Sequence, residues 1–516
     1  MNKVTILNPP KELRGPDGTL TVSAEPGENL FRLLRRAGAA PESYCGGTGR
    51  CGKCTVRANG REVLACETAV DRDLTVELPL PESYTESAMT LCGGYQSPAA
   101  EGPAAERFLA FDIGTTTLVG YLLDEAGRTL AVRGELNPQI PYGADVVSRI
   151  RSAREEGTAE AQTDCIRRAA GELGLALCRE TGADPAAVTR ISVVGNPTMQ
   201  QLFLGLPLEN LVKIPFRPLI TAPVDEAAAA YLPAFPNARL LSLPDVSAYV
   251  GADTAAGVLA TGLFRDETLS LLVDIGTNGE MVLGDRRRMV ACATAAGPAL
   301  EGGHVSRGMR ASAGAIDKVS PEGEFRLIPD ENGRVPETAR GICGSGLIDA
   351  LAYFLKTEKM NPRGRIANAR DRADGLPLRD GLFLTQTDIR ELQQAKGAIA
   401  AGIRLLADTL GVGLEQIGRV WLAGAFGSHL DPESACAIGL LPPVLRDRIV
   451  PCGNAAGEGA CLIAADPDKL LLAADAVRRT ELLELNTHPG FPMAYARGML
   501  FPPPASAPEA DEDPFA

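Results

Sequence analysis

The chain has 516 residues, 45% of them apolar and 22% charged, which at about 100–200 residues per domain means two to four compact units with real cores and excludes wholesale disorder. Its 51 Lys+Arg and 65 Asp+Glu give a net charge of −14; that sign repels phosphate backbones, no local basic patch stands out, and no nucleic-acid partner is expected. No apolar run reaches the roughly 18 residues of a membrane span, and the opening MNKVTILNPPKELRG lacks a signal-peptide pattern, so a cytoplasmic protein off the membrane is expected.

Only three histidines occur, His304, His429 and His488, too few for a His-built metal site or a Ser-His-Asp triad to be expected. Twelve cysteines in a reducing compartment read as metal ligands or small buried hydrophobes rather than as disulfides.

In chain order, Val4-Thr5-Ile6 and Leu20-Thr21-Val22 have the alternation of strands. Leu30, Leu33, Leu34 and Ala37 fall at helical spacing, with Gly38 as a stop. Four cysteines then crowd into one stretch, SYCGGTGRCGKCTVRANGREVLAC: Cys45, Cys51, Cys54 and Cys66. Thiolates favour soft iron or zinc, and four complete a tetrahedral or cluster site. Gly46, Gly47, Gly49 and Gly52 between them suit a loop wrapping a bulky inorganic core, because glycine permits positive φ and close backbone approach. A zinc ribbon usually repeats C-x2-C, which occurs here once, so zinc fits less well; buried reduced cysteines are the bland alternative. Thr75-Val76-Glu77-Leu78 reads as a closing strand. The order strand, strand, helix, cysteine loop, strand resembles the β-grasp [2Fe–2S] ferredoxins. The departures are one extra residue in the first gap and a short final gap. The other eight cysteines, Cys178 and Cys343 among them, are scattered and read as packing residues.

From 82 to 106 Pro, Gly, Ser and Ala dominate, which marks a linker. FLAFDIGTTTLVGYLLD (108–124) follows: an apolar strand, Asp112, the turn Gly114-Thr115-Thr116, and a second strand. LSLLVDIGTNGEMVLGD (269–285) repeats the plan with Asp274, Gly276, Thr277 and Asn278. Two copies make an internal repeat of one supersecondary unit. A Gly-Thr hairpin offers N–H groups and hydroxyls to phosphate oxygens while the Asp faces magnesium or its waters. There is no G-x-x-x-x-G-K-[ST], so this is not a P-loop.

The duplicated hairpin resembles the superfamily of acetate and sugar kinases, heat-shock chaperones and actin, two ribonuclease-H-like lobes with ATP between them. GRVWLAGAFG (418–427) resembles the adenosine motif of that superfamily, and ISVVGNPTMQQLF (191–203) and CGNAAGEGACLIAA (452–465) resemble its two interlobe connections, where close helix packing needs small residues. The implied architecture is a multidomain α+β and α/β chain: a β-grasp domain (1–81), the linker (82–106), two lobes (107–260 and 261–490), and a C-terminal tail (491–516). The ending PPPASAPEADEDPFA reads as a disordered, solubilising tail.

A ferredoxin domain joined to such an ATPase resembles the reductive activators of corrinoid-dependent enzymes. The resemblance runs over residues 1–490 and includes NPQIPYGADVVSRI (137–150), VGADTAAG (250–257), GPALEGG (297–303), CGSGLIDA (343–350) and GLLP (439–442). It implies an ATP-dependent donor that returns one electron from a [2Fe–2S] cluster to the cobalt(II) corrinoid protein of a methyltransferase system. It also implies an upstream electron donor and Mg2+; the oligomeric state stays open, a homodimer included. Plant-type [2Fe–2S] centres sit near about −400 mV, and each mismatch of about 59 mV costs a one-electron transfer a factor of ten. ATP-driven lobe movement is the expected compensation. In this reading Asp112 and Asp274 face magnesium; Gly114, Thr115, Thr116, Gly276, Thr277 and Asn278 contact phosphate; Gly424, Ala425 and Gly427 border adenosine; and Glu280 or Asp253 activates water. The rivals are a small-molecule kinase with a ferredoxin redox sensor, a nucleotide-dependent scaffold, and a radical-dehydratase activator.

Overall fold

The computed structural model describes residues 1–10, 13–41, 43, 47, 49, 54–79, 105–330 and 332–503. Cys45, Cys51, Cys92, nearly all of the linker and the acidic end of the chain lie outside the described residues.

The first unit is a five-stranded sheet in the order Leu20–Ala24, Asn2–Leu7, Leu74–Glu77, Thr55–Ala58, Arg61–Leu64. Asn2–Leu7 is antiparallel to Leu20–Ala24 and parallel to Leu74–Glu77. The period-2 pattern turns Val4 and Ile6 inward. They meet Leu30, Phe31, Leu33 and Leu34 of the helix Leu30–Arg36, whose N-terminus is capped by the Asn29 side chain, accepting from Arg32 N–H at 3.2 Å. This is the β-grasp arrangement, with the helix crossing one face of the sheet.

Two six-stranded sheets follow. The first runs Thr129–Leu136, Thr117–Leu123, Arg107–Ile113, Val188–Gly195, Arg239–Ser242, Val224–Ala227. The second runs Ile449–Gly453, Arg419–Ala423, Ser270–Ile275, Gly279–Gly284, Met289–Thr294, Thr480–Leu482. Each is built on an antiparallel hairpin: Phe108 pairs with Leu123 and Ile113 with Leu118 in one, Ser270 with Gly284 and Ile275 with Gly279 in the other. Each hairpin's first strand then takes a parallel neighbour on its other side. That shared topology is the ribonuclease-H-like lobe twice over, and Asp112 and Asp274 stand at equivalent strand ends. The central strands Arg107–Ile113, Thr117–Leu123, Ser270–Ile275 and Gly279–Gly284 are buried on both faces, which is why they read as continuous apolar runs rather than alternating ones.

The lobes meet through the helices Ala252–Thr261 and Ala455–Ala465. Their contact needs missing side chains. A Cβ at Gly459 would overlap the Ala256 carbonyl, and one at Gly457 would overlap the Tyr121 hydroxyl. The ferredoxin-like unit touches the first lobe through Arg35, paired with Glu156 at 2.6 Å and lying over the Tyr142 ring at 5.3 Å.

One boundary differs from the expectation. Residues 491–503 are not a loose tail: the helix Phe491–Gly498 packs on the long helix Gln386–Leu410. The buried Lys396 ammonium donates to the carbonyls of Gly498 and Leu500 and sits over the Phe501 ring, and Phe501 is 2% exposed. A lysine a hundred positions earlier supplies the partner that the local composition does not reveal. Among the described residues no helix is long and apolar enough to cross a membrane.

Candidate functional site

Both Asp-Gly-Thr hairpins open into one cleft between the lobes, a cavity of about 140 Å³. Its lining brings together Asp112, Gly114, Thr115, Thr116, Asp253, Asp274, Gly276, Thr277, Asn278, Glu280 and Gly424, and adds Glu301, Asn196, Asn454 and Phe426. Asp253 reaches it from the first turn of Ala252–Thr261. Glu280 lies directly across the strand pair from Asp274, which places a second carboxylate against the first. Gly424, at φ +89°, leaves no room for a side chain, since a Cβ there would stand 2.5 Å from Asp274 Oδ1. Gly427 does not line the cleft: it ends the short helix Gly424–Gly427 and packs towards Leu422, so of the three small residues expected at adenosine only Gly424 is placed at the cavity wall. Ala425 stands between them on that helix.

Two asparagines at helix N-termini hold the hairpins: Asn196 starts Pro197–Leu204 and Asn454 starts Ala455–Ala465. Asn196 accepts from Met199 N–H and donates through Nδ2 to Thr115 Oγ1 at 3.0 Å. Asn454 accepts from Gly457 N–H and donates to Asp112 Oδ2 at 2.8 Å. One oxygen of Glu301 joins the hairpins directly, accepting from Thr116 Oγ1 at 3.3 Å and Thr277 Oγ1 at 3.2 Å. The sequence reading named neither Glu301 nor Asn454 as a site residue. The signal for Asn454 is the repeated Gly-Asn before a helix, Gly195-Asn196 and Gly453-Asn454. Glu301 comes from a loop, and no periodicity marks it.

Five carboxylates therefore face one space, and no lysine or arginine is among its described lining residues. Burial pushes Asp112 up to about 7 against the restraining Asn454 hydrogen bond, with Asp253 adding repulsion. Burial, then Asp253 and Asp112, bring Asp274 to about 7, and burial brings Asp253 to about 6. Glu280 is driven well above the ordinary range by burial and the two aspartates, and Glu301 is raised by burial. Unfolded, such groups titrate near 4. Between that value and about 7 the folded state holds more protons than the unfolded one, so stability falls as pH rises through the window. The metal- and nucleotide-free protein is accordingly expected to melt higher at pH about 5.5 than at pH about 8, and Asp253→Asn to flatten the slope. Scanning calorimetry checks this; a flat profile or the opposite slope contradicts it.

A set of carboxylate and hydroxyl oxygens, without sulfur or imidazole among the described lining residues, is the ligand chemistry of a hard divalent cation such as Mg2+. The Glu301 carboxylate meanwhile occupies the hydroxyls that a phosphate would take. Glu301→Gln keeps an acceptor and removes the charge, and is expected to tighten ATP binding roughly tenfold; unchanged or weaker binding by titration calorimetry contradicts the competition.

In the first unit, Cys54 is fully buried and Cys66 half-buried. The Cys54 carbonyl accepts from Ala65 N–H at 2.9 Å, and the Cys66 carbonyl from Asn29 Nδ2 at 2.7 Å. Gly47 and Gly49 have φ of +87° and +80°. A Cβ at Gly47 would overlap the Phe31 ring, so this glycine is required for the loop to lie against the helix. Such a tight, glycine-turned loop beside two sequestered thiols fits a thiolate-held cluster; Cys45 and Cys51 lie outside the described residues. The other described cysteines are buried or half-buried. Burial pushes Cys178 up to about 11, and Cys343 precedes the helix Gly344–Lys356.

Comparison with known proteins follows the same division. Residues 15–78 match the 2Fe-2S iron-sulfur cluster binding domain, residues 108–266 the RACo middle region, and residues 268–509 the C-terminal domain of RACo, the ASKHA domain. The corrinoid activation enzyme RamQ of Eubacterium limosum is 29% identical, over 89% of this chain and 93% of its own length. The [Co(II) methylated amine-specific corrinoid protein] reductase of Methanosarcina barkeri is 29% identical over 67% of each. A solved structure titled reductive activator for corrinoid,iron-sulfur protein aligns with a TM-score of 0.69 at 27% identity, covering 97% of this chain and 98% of that one. With a 2Fe-2S domain, the RACo middle region and the RACo C-terminal ASKHA domain matched in that order, the chain belongs to the RACo family.

Proposed function

We propose that the protein is an ATP-dependent reductase of a corrinoid protein in a methyltransferase system. The carrying observation is that two equivalent Asp-Gly-Thr hairpins converge on one carboxylate-lined cleft in a chain that also carries a cluster-binding domain. The balance is simple: ATP and water give ADP and phosphate in the cleft, and one electron converts the substrate's cobalt(II) to cobalt(I).

Cys45, Cys51, Cys54 and Cys66 are the residues that hold the [2Fe–2S] cluster, which when bound supplies one electron at a time. Asp112 and Asp274 hold Mg2+, which when bound offsets charge on the phosphate oxygens. Thr115, Thr116, Thr277, Asn278 and the N–H groups at Gly114 and Gly276 take the phosphates, with Gly424 and Ala425 towards the adenosine. Asp253, Glu280 and Glu301 are the acceptors available for the proton of the attacking water, because burial raises the proton affinity of each above that of an ordinary carboxylate. Asn196 and Asn454 transmit the state of the cleft: Asn454 bonds Asp112 and starts the interlobe helix Ala455–Ala465, while Asn196 bonds Thr115 and lies against Gly251, where the interlobe helix Ala252–Thr261 starts. Loss or gain of a phosphate contact thus changes the seating of both helices. ATP can alter electron transfer only through such a difference between states. A cytoplasmic setting, an upstream electron donor and a homodimer belong to the same proposal.

The test is phosphate release with purified protein. A cobalt(II) corrinoid protein is expected to accelerate ATP turnover, while candidate small-molecule acceptors leave it unchanged. A phosphorylated acceptor, formed without any response to the corrinoid protein, would overturn the reading in favour of a kinase.

A further inference from the structure

Away from the cleft, four arginines surround one groove of about 520 Å³: Arg363, Arg365, Arg372 and Arg390, with the Gln386 amide between them. This is the basic patch that is invisible in the sequence, because the four lie between residues 363 and 390 with acidic residues interspersed. The fold gathers them from the loop 361–367, the helix Ala369–Asp374 and the first turns of Gln386–Leu410. The platform is fixed by its own hydrogen bonds. Asn361 Oδ1 accepts from the N–H of both Arg363 and Arg365 at 3.0 Å. Gln386 donates to the Gly364 carbonyl at 2.7 Å and accepts from Ile366 N–H at 3.1 Å.

All four guanidinium groups are on exposed residues. Among the described residues none has a carboxylate within ion-pair distance, whereas Arg326, Arg379 and Arg404 nearby in the sequence each do. Arg390 is satisfied by Gln393 at 2.9 Å and Arg372 leans on two backbone carbonyls. Four like charges share one concavity in a chain of net charge −14. An anionic partner relieves that repulsion, and the planar fork of arginine pairs with carboxylate through two parallel hydrogen bonds.

The chain leads to this groove. Phe501 N–H donates to the Pro362 carbonyl at 2.8 Å, one residue before Arg363. Gln393 Nε2 donates to both the Arg363 and the Met499 carbonyls, and Lys396 grips Gly498 and Leu500. The described residues end at Pro503, two positions after the contact of Phe501 with Pro362. The following stretch, PASAPEADEDPFA, carries Glu509, Asp511, Glu512 and Asp513 and no basic residue. Glu509 is six positions beyond Pro503, a span of up to about 20 Å, so the carboxylates are tethered within reach. A short tether supplies an effective concentration on the order of millimolar, enough for pairs that are individually weak.

We propose that the groove of Arg363, Arg365, Arg372 and Arg390 is a docking site for an acidic peptide, and that its occupant is the chain's own C-terminal segment, residues 504–516, bound in cis. Docking covers four arginines that otherwise attract any anionic surface. It leaves the nucleotide cleft to other residues, so the inference stands independently of the proposed activity.

The experiment uses the full chain with a fluorophore at its C-terminus and reads steady-state anisotropy. A docked tail tumbles with the body, so high anisotropy is expected at about 0.05 M salt and a clear fall at about 0.5 M, where the Debye length drops severalfold. The surface double variant Arg372→Glu/Arg390→Glu should give the low value at low salt. Reversing the tail (Glu509→Lys, Asp511→Lys, Glu512→Lys, Asp513→Lys) should also release it. Circular dichroism and melting temperature of the double variant report that the body is intact. Low, salt-insensitive anisotropy in the parent chain overturns the proposal, as does a double variant whose tail stays immobile. Anisotropy that rises with protein concentration overturns docking in cis, because the occupant is then a second copy's tail.

Discussion

Asp112→Asn and Asp274→Asn are each expected to abolish ATP-driven cobalt reduction, by on the order of 10²-fold or more, the scale seen when one charge-stabilising group is removed. Each substitution keeps shape and volume. Asn is isosteric with Asp and fits beside Gly424, where a side chain on the glycine itself would collide with Asp274, and Asn at 112 can still accept from Asn454. What disappears is a charge that the cleft holds only at a cost, because burial and neighbouring carboxylates already raise both groups to about 7. The metal-free variants should therefore melt at or above the parent temperature near pH 8, by roughly 1 kcal/mol of stability for a relieved charge. Loss of activity with gain of stability separates a ligand role from a folding role. The visible spectrum of the cluster should be unchanged, since the ferredoxin-like unit has its own core around Val4, Ile6, Phe31 and Val76. Wild-type cobalt reduction by either variant contradicts the assignment.

Cys54→Ser is expected to remove most of the cluster, and with it electron delivery, while ATP hydrolysis in the cleft continues. Serine's alkoxide is a harder, much more basic ligand than thiolate, and the position is fully buried, so no surface cysteine can move in to replace it. Cys178→Ser is the control. Cys178 is also buried but lies on the helix Ala159–Thr181 of the first lobe; there a buried hydroxyl costs about 1–3 kcal/mol and should lower the melting temperature without touching the spectrum. Iron and acid-labile sulfide analysis with EPR of the reduced proteins distinguishes the two. Stoichiometric zinc without sulfide in anaerobically purified parent protein contradicts the cluster reading outright.

The two hairpins were legible because their strands are buried on both faces and end in a polar punctuation mark, Asp then Gly-Thr, twice. The β-grasp order was legible for the opposite reason: Val4 and Ile6 alternate with outward residues, and Asn29 and Gly38 bracket one short helix. Hidden from the sequence was whatever depends on distant chain segments meeting. Glu301 joins Thr116 to Thr277 across 185 and 24 positions, and Asn454 reaches Asp112 across 342. The segment after residue 490 looked like the start of a tail because its anchor, Lys396, is a charged residue on the buried side of a helix, against the usual pattern. The arginine groove escaped for the same reason: charge clustering in space leaves no run in the chain. Gly427 lies outside the cavity lining and faces Leu422, because a small residue after a strand serves packing as readily as a ligand.

The central claim is that nucleotide in the cleft governs an electron leaving the ferredoxin-like unit for a corrinoid cobalt. Its most direct test is an anaerobic mixture of the chemically reduced protein with a cobalt(II) corrinoid protein, followed by absorption spectroscopy before and after ATP and Mg2+ are added. The cobalt(I) spectrum should grow after ATP, matched electron for electron by reoxidation of the cluster, and should fail to appear with ADP. Cobalt(I) forming at the same rate and extent without ATP, or no cobalt(I) while ATP is steadily consumed, would contradict the coupling.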